Sequence, residues 1–353
     1  MTATNQDETG SHGPVPDGAA LDIDGFGQLV DGIRTQIGRV IVGQDDLVRT
    51  VLASLFVGGH VLLEGVPGLG KTLLLRTLAD TLELRFTRVQ CTPDLMPADI
   101  VGTTVIGATA DSGAAGRFQP GPVFSQVLLA DEINRASPKT QSALLEAMAE
   151  GSVTVGGVTR PLPVPFFVMA TQNPIEMEGT YPLPEAQLDR FLTKLLVMLP
   201  PTGDLIAILR RTTGVGGSSA DAVAGAAQVR AAGALVRSMP IAEHVLRHAV
   251  DLIQATHPAM EPAPEPVRRY VAYGASPRGA QALVLLGKAM ALLDGRTAVA
   301  IDDIRAAVHP CLRHRVVVGY EALAADVDTD QILDALLDAV PAPRPPVRGA
   351  GVP

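Results

Sequence analysis

The stretch HVLLEGVPGLGKTLLLRTLADTL, residues 60–82, decides the reading of the whole chain. Its first part, HVLLEG (60–65), is a short apolar run closed by glycine, the pattern of a buried strand. Its last part, KTLLLRTLADTL (71–82), has helical spacing. Between them, Gly65-Val66-Pro67-Gly68-Leu69-Gly70-Lys71-Thr72 satisfies G-x-x-x-x-G-K-[ST] in full. Each residue type has a physical reason. Glycines let backbone N–H groups turn toward phosphates with no Cβ in the way. Lys71 brings a point charge to the β- and γ-phosphates, and the Thr72 hydroxyl is a ligand for Mg²⁺. The helix that follows aims its positive end at the anion. The alternative is an ordinary Gly-rich turn between a strand and a helix.

A nucleotide cradle of this kind needs carboxylates at a strand end. VLLADE (127–132), about 60 residues on, supplies Asp131 and Glu132. Consecutive residues at a strand terminus point to different sides, which assigns Asp131 to the Mg²⁺ shell, through water, and Glu132 to the attacking water.

Outward from these motifs, the pattern predicts helices over 26–40, 45–59 and 138–151, the last closed by Gly151. Further apolar strands are expected at 165–174 and within 191–200. A hairpin with a Gly-Gly turn is expected at 152–162. Residues 91–122 read as loops with a hairpin. Beyond Pro200 the patterns are helical only: 202–213, 228–237, 241–256, 264–273, 277–294 and 301–312. Residues 214–227, GVGGSSADAVAGAA, read as a flexible connection. The expected organisation is therefore a disordered tail (1–24), an α/β nucleotide-binding domain with a parallel sheet flanked by helices (25–200), an all-α lid domain (201–340) and a second disordered tail (341–353).

Composition agrees with this architecture. Hydrophobic residues make up 47 % of the 353 and aromatics only 3 %, with no Trp, so the core must be aliphatic, as suits a buried parallel sheet. The net charge of −9 gives no global pull toward nucleic acid or anionic membrane. Cys91 and Cys311 lack metal spacing and read as reduced, buried thiols. The polar, acidic N-terminus has no signal-peptide pattern, and no apolar stretch reaches bilayer length. Both point to a cytoplasmic protein without membrane insertion.

Four separate segments, GHVLLEGVPGLGKT, FQPGPVFSQVLLADEINRASPKTQSALLEAM, ATQNPIEMEGTYPLPEAQLDRF and GASPRG, closely resemble the MoxR group of AAA+ ATPases in the same order. The resemblance spans roughly residues 26–340 and implies an AAA+ fold that binds ATP and Mg²⁺. It implies that Asn173 is sensor 1, near the γ-phosphate or the water. Arg190 of LDRF resembles the arginine finger that reaches the neighbouring subunit's nucleotide, with Arg135 a second candidate for acting in trans. Arg278 of ASPRG looks like sensor 2, tying the lid to the γ-phosphate. Val42-Gly43-Gln44 falls where the family packs adenine. Hairpins at 101–118 and 152–162 match positions where the family carries insertions.

A finger acting in trans implies a ring, expected to be a hexamer. The resemblance further implies a chaperone-like ATPase that remodels or matures a protein client, by cofactor or metal insertion for example, with a von Willebrand factor A domain protein as partner. A magnesium-chelatase-like motor subunit and a nucleic-acid motor are the competing readings; excess acid and scarce aromatics disfavour nucleic acid as partner. HPCLRHR (309–315) reads as a packed or intersubunit helix end rather than a metal site, and HVLRH (244–248) as helix surface.

Overall fold

The computed structural model describes residues 21–66, 68–106, 116–174, 179–214 and 218–343. The chain opens with α1 (Ile23–Val40) and α2 (Asp45–Val57). Asp22 caps α1 by accepting the Gly25 N–H at 2.8 Å, so the helix starts ahead of Phe26 and inside the stretch expected to be a tail. Residues 1–20 and 344–353 of the expected tails lie outside the described residues.

The central sheet follows. Its chain order is β1 (Val61–Glu64), α3 (Lys71–Thr81), β2 (Phe86–Gln90), α4 (Pro97–Val101), the antiparallel pair β3 (Gly102–Ile106) and β4 (Gly116–Pro120), then β5 (Val127–Asp131) and α5 (Pro138–Glu150). After these come the hairpin β6 (Ser152–Val155) and β7 (Val158–Pro161), then β8 (Phe167–Gln172), α6 (Glu185–Leu188) and β9 (Thr193–Leu196). Five strands form one parallel sheet in the order β2-β5-β8-β1-β9.

Alternation sorts the apolar residues of the central strands. Val61, Leu63, Val127, Leu129, Phe167 and Met169 join a core with α1, α2 and α3, whereas Leu62, Leu128, Val168 and Ala170 join a core with α5. Both faces are thus covered by helices, which is why these strands are apolar up to their C-terminal ends. β2 escapes prediction because it is an edge strand: in FTRVQ only Val89 is buried, so no apolar run marks it. The hairpin expected over 101–118 is present as β3 and β4, and its tip, 107–115, lies outside the described residues.

The C-terminal part is helical: α7 (Thr202–Thr212), α8 (Ala226–Ser238), α9 (Glu243–Ala255), α10 (Glu265–Tyr270), α11 (Pro277–Leu293), α12 (Ile301–Ala306), α13 (Val308–Leu312), α14 (Tyr320–Ala324) and α15 (Thr329–Ala339). Three expectations need correction here. The region is not helical only, because β10 (Val271–Tyr273) pairs antiparallel with β11 (Val317–Val318). The single helix expected over 301–312 breaks at Ala307. Pro310 has no N–H to give to the Ala306 carbonyl, and its ring would crowd that group. The described part of the 214–227 connection is tied down: Val223 N–H reaches the Thr81 carbonyl at 2.9 Å, and Asp221 pairs with Arg39 at 2.7 Å. Residues 215–217 lie outside the described set.

α8 and α11 pack on α2, so the C-terminal helices share a continuous apolar core with the first two. Among the described residues no helix is long and apolar enough to cross a membrane.

Candidate nucleotide site and the opposite sheet edge

Gly65 leaves β1 with its N–H on the Gln172 carbonyl at 3.3 Å. A Cβ there would lie 2.6 Å from the Val197 carbonyl oxygen, so the chain can pass only as glycine. Gly68 and Gly70 adopt left-handed φ values of +86° and +77° beside open space, and Gly70 caps α3. Val66 and Leu69 lie within this turn; Pro67 lies outside the described residues. Lys71 opens the helix with its Nζ donating to the Gly65 carbonyl. Partial burial lowers its pKa, opposed by the charges of Asp131, Glu132 and Glu64. Thr72 follows, half-buried.

β5 ends in Asp131 beside this turn. One of its oxygens, Oδ1, accepts the Thr171 hydroxyl at 2.6 Å; the other, Oδ2, accepts Arg88 Nη2 at 2.7 Å and Nε at 3.1 Å. Glu132 is held at φ +56°, in the left-handed region, by its N–H on the same Thr171 hydroxyl at 2.8 Å. Its Oε2 accepts Gln90 Nε2 at 3.0 Å and lies 3.2 Å from Arg135 Nε. The two carboxylates thus have separate partners, while Thr171 binds the Asp131 carboxylate and the Glu132 backbone. Asn173, just beyond β8, is buried at the same C-terminal edge of the sheet.

Thr171, Arg88 and Gln90 were not singled out from sequence. The alternation in Arg88-Val89-Gln90, polar residues flanking one apolar residue, was the available signal, and it became meaningful only once β2 was paired with β5.

The residues suited to magnesium are hard oxygen donors: one hydroxyl (Thr72) and one carboxylate (Asp131). Among the described residues no group of three His, Cys, Asp or Glu could cage a metal. That set fits an ion that keeps waters and takes further oxygens from phosphates, as Mg²⁺ does.

The remaining candidates divide. Arg135 sits on the nucleotide side, paired with its own chain's Glu132. Val42, Gly43 and Gln44 link α1 to α2, with Gly43 and Gln44 both at positive φ. The Asp204 carboxylate of α7 lies so close over Gly43 that a Cβ would sit 2.1 Å from it. Arg190 and Arg278 lie elsewhere. Leu192 N–H bonds the His60 carbonyl at 2.8 Å, which puts the Asp189–Leu192 turn before the start of β1, whereas the cradle follows its end. At about 3.3 Å per residue, His60 and Gly65 are separated by roughly 16 Å.

Arg190 Nη1 donates to the Leu145 carbonyl at 2.6 Å. Arg278, more than half exposed, has Nη1 3.9 Å from Asp189 Oδ2. Asp189 also accepts the Ser276 hydroxyl at 2.8 Å and Arg315 Nε at 2.8 Å. Within one chain, then, Arg278 does not join the Lys71 cluster; it stands with Arg190 at the far edge.

The arrangement of strand, glycine turn, Lys71, Asp131 and Glu132 matches what comparison with known proteins finds. Residues 60–193 match the ATPase family associated with various cellular activities (AAA), and residues 264–336 match the AAA lid domain. "Chaperone MoxR1" of Mycobacterium tuberculosis is 42 % identical over 327 residues, covering 90 % of this chain and 84 % of its own. The chain belongs to the MoxR family of AAA+ ATPases. "Protein MoxR" of Paracoccus denitrificans is 34 % identical over 322 residues, 86 % of this chain and 92 % of its own. A crystal structure of a candidate ATPase from Cytophaga hutchinsonii superposes with a TM-score of 0.85 at 38 % identity, covering 91 % of this chain and 97 % of that one.

The HPCLRHR segment is packed in this MoxR-family fold. His314 and Arg315 are buried, and Arg315 donates to the Asp189, Phe191 and Leu192 carbonyls. Burial, followed by the Arg315 charge, pushes the His314 pKa well down. His248 is also buried, a correction to its reading as helix surface. Burial raises the thiols of Cys91 and Cys311 to about 12.

Proposed function

We propose that this chain binds ATP with Mg²⁺ and hydrolyses it to ADP and phosphate within a hexameric ring, using the cycle to remodel or mature a protein client. The observation that carries the reading is the division of the charged machinery between opposite sheet edges. Lys71, Thr72, Asp131, Glu132 and Asn173 lie at one edge, Arg190 and Arg278 at the other. A single copy cannot bring both sets to one phosphate, but the far edge of one copy can face the cradle of the next.

In this reading residues 25–200 form the nucleotide-binding unit and 201–340 the lid. Backbone amides of the Gly65–Thr72 turn and the Lys71 ammonium hold the phosphates, and Val42, Gly43 and Gln44 flank the base. Thr72 and Asp131 would hold Mg²⁺, the carboxylate through water, and the ion would supply charge neutralisation along the phosphate chain. Glu132 leaves Gln90 and Arg135 to orient a water and take its proton. The water oxygen attacks the γ-phosphorus, and the bond to the β–γ bridging oxygen breaks with its electron pair leaving on ADP. Asn173 steadies the water through an amide that both donates and accepts. Arg190 and Arg278 meet the charge spreading over the γ-phosphoryl oxygens of the neighbouring subunit.

Mixing subunits tests this division. Glu132→Gln and Arg190→Ala chains, each inactive alone, regain part of the ATPase rate when assembled together, because some interfaces then hold one intact edge of each kind. Confirmed mixed rings with no recovery would refute the trans assignment. The family resemblance supports a von Willebrand factor A domain protein as partner, with cofactor or metal insertion among the maturation tasks. Affinity capture on ATP-loaded Glu132→Gln protein tests that: such a protein is retained with ATP and released with ADP. Retention indifferent to nucleotide would count against it.

A further inference from the structure

We propose that Asp189 is a positioning residue whose carboxylate fixes Arg190 and Arg278 at one spacing, so that the two cations meet a neighbouring subunit's phosphate as a pair. The inference rests on the proposed role of both arginines in trans and names what sets their geometry.

Both arginines are exposed, and the contacts of their guanidiniums are slight. Arg190 gives Nη1 to the Leu145 carbonyl at 2.6 Å, and Arg278 Nη1 stands 3.9 Å from Asp189 Oδ2. Their placement therefore depends on the backbone that carries them. At Arg190 that backbone has little support of its own. The preceding helix α6 is a single turn with no buried residue, while Phe191, fully buried in the core shared with α5, anchors the far side. The lid supplies the rest. Arg315, its side chain 3 % exposed, donates to the Asp189, Phe191 and Leu192 carbonyls and gives Nε to Asp189 Oδ1 at 2.8 Å. Arg313 adds a bond to the Lys194 carbonyl at 2.9 Å.

Asp189 joins this turn to the second arginine. Its Oδ2 accepts the Ser276 hydroxyl at 2.8 Å, across 87 residues of sequence. The same Ser276 oxygen accepts the Arg278 N–H at 3.2 Å, as the cap of α11. One carboxylate is thus a single peptide bond from the Arg190 backbone and a single hydroxyl from the Arg278 backbone. Its two oxygens divide the work: Oδ1 neutralises the buried Arg315, and Oδ2 holds the start of α11. Both bonds are charge-assisted, and an amide in this place offers one acceptor oxygen and no charge.

The test is kinetic and uses the assembled full-length protein. Asp189→Asn keeps the side chain's size, Ser276→Ala cuts only the α11 end of the link, and Ser276→Thr keeps it. Asp189→Asn and Ser276→Ala each lower kcat for ATP about ten- to hundredfold, the scale of a displaced catalytic group. KM stays within about twofold, because the Lys71 cradle of each chain is untouched. Ser276→Thr retains most of the parental rate. In an Arg190→Ala/Arg278→Ala background nothing is left to position, and adding Asp189→Asn changes the residual rate by less than about twofold. In mixed rings, Asp189→Asn subunits regain rate with Glu132→Gln subunits and not with Arg190→Ala subunits, because their defect lies on the Arg190 edge.

A parental kcat in folded Asp189→Asn or Ser276→Ala overturns the proposal, as does a loss carried by KM. So does a further loss of about tenfold in the double-arginine background, or recovery with Arg190→Ala subunits. The pairing of Glu132→Gln with Arg190→Ala subunits checks the underlying reading separately. No recovery there removes the trans role of Arg190, while the double-arginine background still decides whether Asp189 works through the two cations.

Discussion

Replacing Thr171 with Val keeps the volume of a buried β-branched side chain and deletes one hydroxyl. That hydroxyl accepts the Glu132 N–H at 2.8 Å and donates to Asp131 Oδ1 at 2.6 Å, and the residue is only 2 % exposed. A buried N–H left without a partner costs about 1–3 kcal/mol, and a hydrogen bond to a charged group contributes about 1.5–3 kcal/mol. The sum is partly relieved, because Glu132 at φ +56° stores about 1 kcal/mol of backbone strain that the loss releases. The net expectation is about 2–4 kcal/mol of destabilisation, read as a lower denaturation midpoint. Relaxed from its left-handed backbone, Glu132 no longer presents its carboxylate consistently, so turnover falls about ten- to hundredfold, the scale of a misplaced catalytic group. Nucleotide affinity, which depends on the Lys71 cradle, changes little. Thr171→Ser, which restores the hydroxyl, recovers most of both losses. A Thr171→Val protein with parental midpoint and parental turnover would refute the reasoning.

Three further outcomes follow from the same structure. Gly65→Ala abolishes nucleotide binding in equilibrium dialysis, because its Cβ would meet the Val197 carbonyl oxygen at 2.6 Å and displace the turn. His60, buried with Nδ1 accepting the Val168 N–H and Nε2 donating to the Met148 carbonyl, must stay neutral, and burial lowers its pKa to about 4. The unfolded chain therefore binds this proton first: stability is full above pH 6.5 and declines as pH falls toward 4, by on the order of 3 kcal/mol for this group. A flat acid limb in pH-dependent unfolding would contradict that. Cys91 and Cys311, with thiols raised to about 12, react with a disulfide reagent at pH 8 only after unfolding.

The parts of this fold that announce themselves in sequence are those whose side chains share one environment. The central strands Val61–Glu64, Val127–Asp131 and Phe167–Gln172 are covered on both faces, so each is apolar until it reaches its polar C-terminal end. The glycine turn is legible because backbone geometry, not packing, dictates its residues. Strand β2 is half-exposed at an edge, and the short pair β10–β11 is defined by its partners rather than its pattern; neither carries a long apolar run.

The same holds for the site. Gly65 to Thr72, Asp131 and Glu132 follow from motif chemistry, and Asn173 from the family resemblance. Thr171 acquires its bracing role only through strand pairing, and Arg88 and Gln90 belong to the strand that sequence did not mark. Spacing along the chain also could not place Arg278 with Arg190. It takes the lid's attachment to Asp189, through Ser276 and Arg315, to put both cations at the same edge.

The central claim is that the turn around Lys71 grips a nucleoside triphosphate that Glu132 helps to cleave. Calorimetry of ATP with Mg²⁺ on the Glu132→Gln protein, run beside Lys71→Ala, tests it most directly. The account predicts saturable binding of one ATP per occupied cradle without phosphate release for the first, and no binding for the second. Absence of binding by Glu132→Gln in every oligomeric form, or undiminished binding by Lys71→Ala, would contradict it.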